Sequence, residues 1–318
     1  MYPVENGEAT INPYFADFAA LALLDNADKY TENVIAYMNW HFDHLNTSSD
    51  DYNRVDATIY DYTATVENKK VIAEKSEESY DSTDSYAATF LMLLNKYYEV
   101  TGDAEYILAH KDEIVRISEA MLSTLNMGLT FAKPDYEVKY LMDNCEVYEG
   151  LICANSLFKT VLADDDSLKL TATKCRYALS WTEQTIEKKL WDEDASHYYS
   201  GIFKNDDAIS DFSWTEFYPA ATSQLFPVIH KVIPSDSERA IGLYGAFCDS
   251  YNWQKLDIPS AFCWGTMVYA AAVMGDYESV MTYMDYYVDF SENRSYPLYN
   301  ADAARVSMAA AIVLDSIS

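Results

Sequence analysis

Apolar residues recur along this chain at helical spacing, and the blocks they form come in two alternating kinds. The first, about 13 to 25, reads Pro13-Tyr14-Phe15-Ala16-Asp17-Phe18-Ala19-Ala20-Leu21-Ala22-Leu23-Leu24. It is apolar nearly all round, with proline at a favoured early position. The second, about 28 to 46, puts Val34, Tyr37, Met38, Phe42 and Leu45 on a single stripe. The alternation continues. Blocks near 82–101, 143–162, 214–231, 259–274 and 299–316 are apolar on most sides, whereas 104–125, 165–190, 236–252 and 276–290 are amphipathic. Gly102-Asp103 and Gly275-Asp276 mark helix stops. The period falls to two in Thr58-Ile59-Tyr60-Asp61-Tyr62 and Val71-Ile72-Ala73, which predicts a short hairpin. Residues 191 to 213, with Trp191, Tyr198, Tyr199 and Phe203, read as loop and hairpin.

A helix that is hydrophobic all round is buried on all sides. Six such helices sheathed by amphipathic partners predict an all-α, single-domain chain over residues 1–318. The architecture is an (α/α)6 toroid of six helical hairpins, eleven to twelve helices in all, with short β-hairpins in the loops. An open solenoid fits less well, because the inner helices start unevenly, near 13, 82, 143, 214, 259 and 299. A twelfth helix is missing, so the last inner helix must close against the first pair. Only 9 glycines and 8 prolines occur, fewer than an all-β chain rich in tight turns requires.

In this alternation every inner helix starts at the same end of the ring, so their first turns gather at one mouth. Polar and aromatic residues cluster in those turns. They include Asp81, Asp84 and Tyr86; Asp143 and Glu146; Trp214, Glu216 and Tyr218; Trp264; and Asp302 followed by Arg305. Two readings of the carboxylates stand side by side. Asp81-x-x-Asp84, Asp143-x-x-Glu146 and Ser213-x-x-Glu216 resemble capping boxes, and acidic first turns complement the helix dipole. Capping, however, needs no tryptophan. Glycoside hydrolysis needs two carboxylates flanking the scissile bond, one protonated and one ionised. Glu146 is the candidate acid, and Asp84 or, in the Tyr60-Asp61-Tyr62 loop, Asp61 the candidate base. Tyr86, Trp214, Tyr218 and Trp264 are candidates for stacking on sugar rings, with Asp81, Asp143, Glu216 and Asp302 as further substrate contacts.

Charge narrows the ligand. The 51 acidic against 22 basic side chains give a net −29, a field that repels phosphate backbones and anionic lipid. Nucleic acid and membrane insertion are therefore not expected, and a neutral sugar is indifferent to the field. The 28 tyrosines and 6 tryptophans suit sugar rings, with their apolar faces and hydroxyl rims. The five cysteines, Cys145, Cys153, Cys175, Cys248 and Cys263, form no CxxC pair, so neither a disulfide framework nor a structural zinc site is expected. No metal or cofactor is called for. His41 and His44 are expected on the surface of an outer helix, and Asp164-Asp165-Asp166 and Asp192-Glu193-Asp194 as solvated turns. No leader is visible after Met1, and export and oligomeric state stay open.

The chain resembles the six-hairpin glycosidase superfamily. The similarity lies in 12–20, in Asp81-Ser82-Thr83-Asp84-Ser85-Tyr86-Ala87-Ala88, in 143–150, in Tyr218-Pro219-Ala220-Ala221-Thr222-Ser223-Gln224-Leu225, and in Ala261-Phe262-Cys263-Trp264-Gly265. The resemblance implies an (α/α)6 barrel and inverting hydrolysis of glycosidic bonds. Relatives with the Tyr-Pro stretch often carry an acidic residue where Ala220 stands here. The leading reading is a glycoside hydrolase acting on a neutral oligo- or polysaccharide. A non-catalytic carbohydrate-binding protein and a polysaccharide lyase are the alternatives.

Overall fold

The computed structural model describes residues 6–293 and 299–317; the leader question falls on residues 1–5, outside them. The helices run α1 Pro13–Leu23, α2 Ala27–Asp43, α3 Asp84–Thr101, α4 Ala104–Ala109, α5 Lys111–Leu122, α6 Leu141–Lys159, α7 Lys169–Thr185, α8 Phe226–Ile229, α9 Glu238–Ser250, α10 Gly265–Val273, α11 Tyr277–Glu292 and α12 Asn300–Ile317. Inner and outer helices alternate as the pattern predicts, with α4 and α5 together filling one outer position.

The inner helices make a closed ring. α1 packs on α3, α3 on α6, α6 on α8, α8 on α10, α10 on α12, and α12 back on α1. Among the described residues, α12 closes the ring directly against α1. The first twelve residues of α3, Asp84 to Asn95, are all buried, whereas α5 buries only one face through Ile114, Ile117, Ser118, Ala120 and Met121. α6 and α12 contribute to both of the two larger apolar clusters, and a smaller one gathers Ile59, Tyr60, Tyr62, Tyr80 and Tyr86.

Helix ends follow local chemistry. Asn12 caps α1 by accepting from the Phe15 amide at 2.9 Å, with Pro13 behind it. After each Gly-Asp stop the aspartate caps the next helix: Asp103 accepts from Tyr106 N at 3.0 Å and Asp276 from Ser279 N at 3.1 Å. α3 and α6 pack extensively and closely. A Cβ on Gly150 would lie 2.8 Å from the Ala88 backbone, so glycine sets how closely these helices approach.

Three expectations need correction. The continuous helix at 214–231 is broken, because Pro219 and Pro227 lack the amide that a helix interior needs. A wide turn over Phe217–Ala221, containing a cis Tyr218–Pro219 bond, is followed only by short α8. The next inner helix starts at Gly265 rather than near 259, since Trp264 has φ +47° and cannot continue a right-handed helix. His41 is not on the surface: its ring is 1% exposed and stacked on Phe90 at 3.6 Å, and burial depresses it to about 3. The predicted hairpin exists, displaced to Tyr62–Glu67 (β2) and Lys70–Ser76 (β3), with Asn68 and Lys69 both left-handed in its turn. An unforeseen strand, Gly7–Ile11 (β1), pairs with β2.

Replacing Gly150 by alanine should destabilise the fold by about 1–3 kcal/mol through overpacking, despite alanine's better helix propensity. Gly242→Ala, on α9 with nothing within 4 Å of the new methyl, should stabilise by about 0.4–1 kcal/mol. Thermal or urea denaturation of the two variants checks both signs.

Candidate active site

The first turns of all six inner segments surround one funnel of about 790 Å³. Its walls differ in kind. Asp81, from the approach to α3, and Asp143 and Glu146 of α6 make an acidic side, while Tyr218, Phe262 and Trp264 supply an aromatic one. Phe18 and Arg305 also line it, each about a turn further along its helix than the first lining residue of that helix.

Glu146 is 2% exposed and accepts a hydrogen bond from Tyr14 Oη at 2.5 Å. Burial, reinforced by the neighbouring Asp143 carboxylate, pushes its pKa up to about 8, against the opposing effect of the Tyr14 hydroxyl. Asp143 is raised well above the usual carboxylate range by burial and by Asp84 and Asp81. Asp84 is raised to about 7, mainly by burial, with Glu146 adding to it. These groups restrain one another's ionisation, because like charges in a low-dielectric site cannot all be present together.

The capping reading does not account for them. α6 begins at Leu141, two residues before Asp143, and α3 begins at Asp84 after Thr83; neither helix has a side-chain cap. No helix starts at Ser213, where Glu216 N merely closes a turn onto the Ser213 carbonyl at 3.1 Å.

The structure divides the sequence candidates into two groups. Asp81, Tyr86, Asp143, Glu146, Tyr218, Trp264 and Asp302 share the funnel. Asp84, Asp61, Trp214 and Glu216 are not among its lining residues. Asp84 is wholly buried behind the wall, its Oδ1 accepting from Ser85 N at 2.9 Å while its Oδ2 has no partner. Asp61 sits behind Asn12 and Tyr86, accepting from Asn12 Nδ2 and Tyr86 Oη, each at 3.1 Å; burial raises its pKa. Trp214 meets Phe212 edge-on at 5.1 Å, and its carbonyl accepts from Tyr251 Oη. Glu216 is exposed on the irregular turn.

Asp302 is fixed by the Gly265 amide at 2.7 Å. A Cβ on Gly265 would come within 2.3 Å of the Asp302 carbonyl, so only glycine lets α10 and α12 meet here. Trp264, immediately before it, holds a left-handed backbone conformation that is costly for a bulky residue. Its indole donates to Ser260 Oγ at 3.0 Å and lies 5.2 Å from the Tyr218 ring. Sequence reasoning overlooked Asn12, Tyr14 and Phe18. The rule that inner first turns converge applies to α1 as much as to α3, and would have found them. Among the described residues no three His, Cys, Asp or Glu side chains group as a metal site, and no helix is long and apolar enough to cross a membrane.

No family model and no curated protein matches the sequence. Solved structures share its shape. A mannosylglycerate hydrolase of glycoside hydrolase family 63 from Thermus thermophilus, in complex with glucose, superposes with TM-score 0.63 at 10% identity, covering 100% of this chain and 95% of that one. An α-amylase from Clostridium perfringens gives 0.61 at 9%, covering 96% and 86%. A family 76 α-mannanase from Bacteroides thetaiotaomicron gives 0.59 at 12%, also covering 96% and 86%. At such identities the likeness is one of fold, the (α/α)6 toroid.

The raised carboxylates make a stability prediction. A carboxyl group with a higher pKa in the folded than in the unfolded chain withdraws stability as pH rises from the unfolded value, and the loss levels off above the folded one. Asp84→Asn removes that titration. Its gain in melting temperature over the wild type should be small near pH 4, grow up to about pH 7 and then level; a gain independent of pH would contradict it.

Proposed function

We propose that this chain is a glycoside hydrolase acting on a neutral oligo- or polysaccharide, with Glu146 as the general acid. The observation that carries this reading is a buried glutamic acid, held protonated through neutral pH, in a funnel lined by further carboxylates and by aromatic rings. A sugar seated on Trp264 and Tyr218 presents its glycosidic oxygen to Glu146. The acid gives its proton to that oxygen as the C–O bond breaks. Asp81, a lining carboxylate open to solvent, takes a proton from the water that attacks the anomeric carbon. Direct attack by water inverts the anomeric configuration. Asp84 and Asp61, not among the lining residues, act from behind: Asp84 raises the proton affinity of the acidic cluster, and Asp61 orients Tyr86 and Asn12. The similarity to structures named as an α-amylase and an α-mannanase makes soluble starch and α-mannan the first substrates to test.

Glu146→Gln should lower kcat by about 10²–10⁴-fold while leaving the melting transition and sugar binding in place. Asp81→Asn should have a loss of similar order, with reducing-sugar release as the readout. Because Glu146 must hold its proton, wild-type activity should fall as pH rises through about 8. Tyr14→Phe removes a hydrogen bond that favours the ionised form, so it should move that alkaline limb to higher pH. Undiminished turnover in Glu146→Gln would remove this residue from the mechanism.

A further inference from the structure

Outside the funnel, the rim carries a run of partly exposed tyrosines that the chemistry above does not use. Tyr140 immediately precedes α6, whose first turn brings Asp143 to the funnel, and it lies within electrostatic reach of Tyr218. Its hydroxyl is 2.9 Å from that of Tyr136, and the two rings lie 6.3 Å apart. Asp135, next to Tyr136, accepts from Asn53 Nδ2 at 3.1 Å, which ties this loop to the one bearing Tyr52. The Tyr52 ring rests on Tyr80 at 5.0 Å and stacks with Tyr60 at 6.1 Å. Tyr80 in turn immediately precedes Asp81 of the funnel wall. The arc therefore leaves the funnel beside Tyr218 and returns to it at Asp81.

The exposure along the arc is what calls for an explanation. Tyr218 is 55%, Tyr136 46% and Tyr52 43% exposed. Tyr60 and Tyr80, at 5% and 4%, are buried supports that fix the Tyr52 platform in place, and Tyr60 Oη accepts from the Tyr52 amide at 2.9 Å. Rigidly mounted aromatic faces open to water, with hydroxyls at their edges, match the alternating CH faces and OH rims of a sugar chain. Immobilised rings also lose little entropy on binding.

We propose that the rim arc Tyr218–Tyr140–Tyr136–Tyr52 is an extended binding track for the continuing chain of a neutral polysaccharide, which runs from the funnel over these rings. The proposal rests on the carbohydrate reading of the funnel and deepens it: the ligand is a polymer rather than a short sugar. Charge agrees with this choice, because Asp81, Asp135 and the wider acidic surface would repel an anionic chain.

The test separates the track from catalysis. Tyr52→Ala/Tyr136→Ala truncates two exposed side chains and should leave the melting temperature within a few degrees of the wild type. Native gels containing soluble starch or yeast α-mannan measure polymer affinity without requiring turnover, and maltotriose and mannotriose serve as short probes. At least one polymer should retard the wild type, and the double variant should bind that polymer at least five-fold more weakly with trisaccharide affinity unchanged. Tyr52→Phe/Tyr136→Phe, which keeps the faces, should recover most of the retardation. Equal retardation of wild type and alanine variant, or retardation of the wild type by neither polymer, overturns the track. If retardation is lost in the alanine variant but no glycan is cleaved by the wild type, the track stands and the hydrolase reading falls. If the wild type cleaves while polymer affinity ignores both substitutions, the reverse holds.

Discussion

The guanidinium of Arg305 lies 4.1 Å from the Phe18 ring and 4.9 Å from the Tyr269 ring, so one side chain of the last helix is gripped by both its ring neighbours, α1 and α10. A planar, permanently charged group is suited to this, since it can face aromatic rings on a seam where an ammonium would demand water. The same guanidinium comes within 3.5 Å of His230 Nε2, and His230 Nδ1 lies 2.8 Å from Glu149 of α6. Against the opposing effect of burial, His230 and Lys231 hold Glu149 down at about 2. The seam is thus coupled through hydrogen bonds to α6. Closure matters because the inner helices share a cavity only if the first and last touch; a gap would let water reach the carboxylates from the side.

The second constraint is the spacing of α3 and α6. Gly150 follows Glu146 by four residues and Ala88 follows Asp84 by four, so the glycine contact between these helices lies one turn beyond the two carboxyl groups on the same faces. Both carboxyl groups are buried beside this contact, Asp84 completely and Glu146 almost so. Their raised pKa values are a consequence of helix packing. The heavy surface charge and the raised interior groups are therefore compatible: carboxylates in water stay apart and hydrated, whereas burial favours the protonated forms of Asp84, Asp143 and Glu146.

Most of the ring could be read from the chain, because burial on all sides leaves a compositional trace that needs no partner to interpret. The near-continuous apolar run of α3, the two Gly-Asp stops and the striped outer helices are of this kind. What escaped depended on contacts between distant segments. His41 looks like a surface residue in an amphipathic helix, and only Phe90, far along the chain, shows that it is buried. Strand β1 is short and polar and acquires its form from β2. The capping motifs misled in the same way: Asp143-x-x-Glu146 has the spacing of a cap, but the helix gains an extra half turn at Leu141, just after the short strand Val138–Tyr140, which pairs with residues 201–203. In the funnel, the carboxylate pattern picked out lining residues such as Asp143 and Glu146, but no sequence rule separates Asp81, which lines the cavity, from Asp84 one turn later, which does not.

The two sides of the funnel are built on different principles. Glu146 stands on a long, regular helix pressed against another by a glycine contact, whereas Tyr218 and Trp264 stand on a proline-broken turn and a left-handed residue ahead of α10. Mutational drift in the irregular segments can therefore re-shape the aromatic lining without moving the Glu146 carboxyl group. If the hydrolase proposal holds, a lineage carrying this ring has a way to exchange one sugar for another while inheriting the same acid, since grip and chemistry rest on differently built segments of one opening.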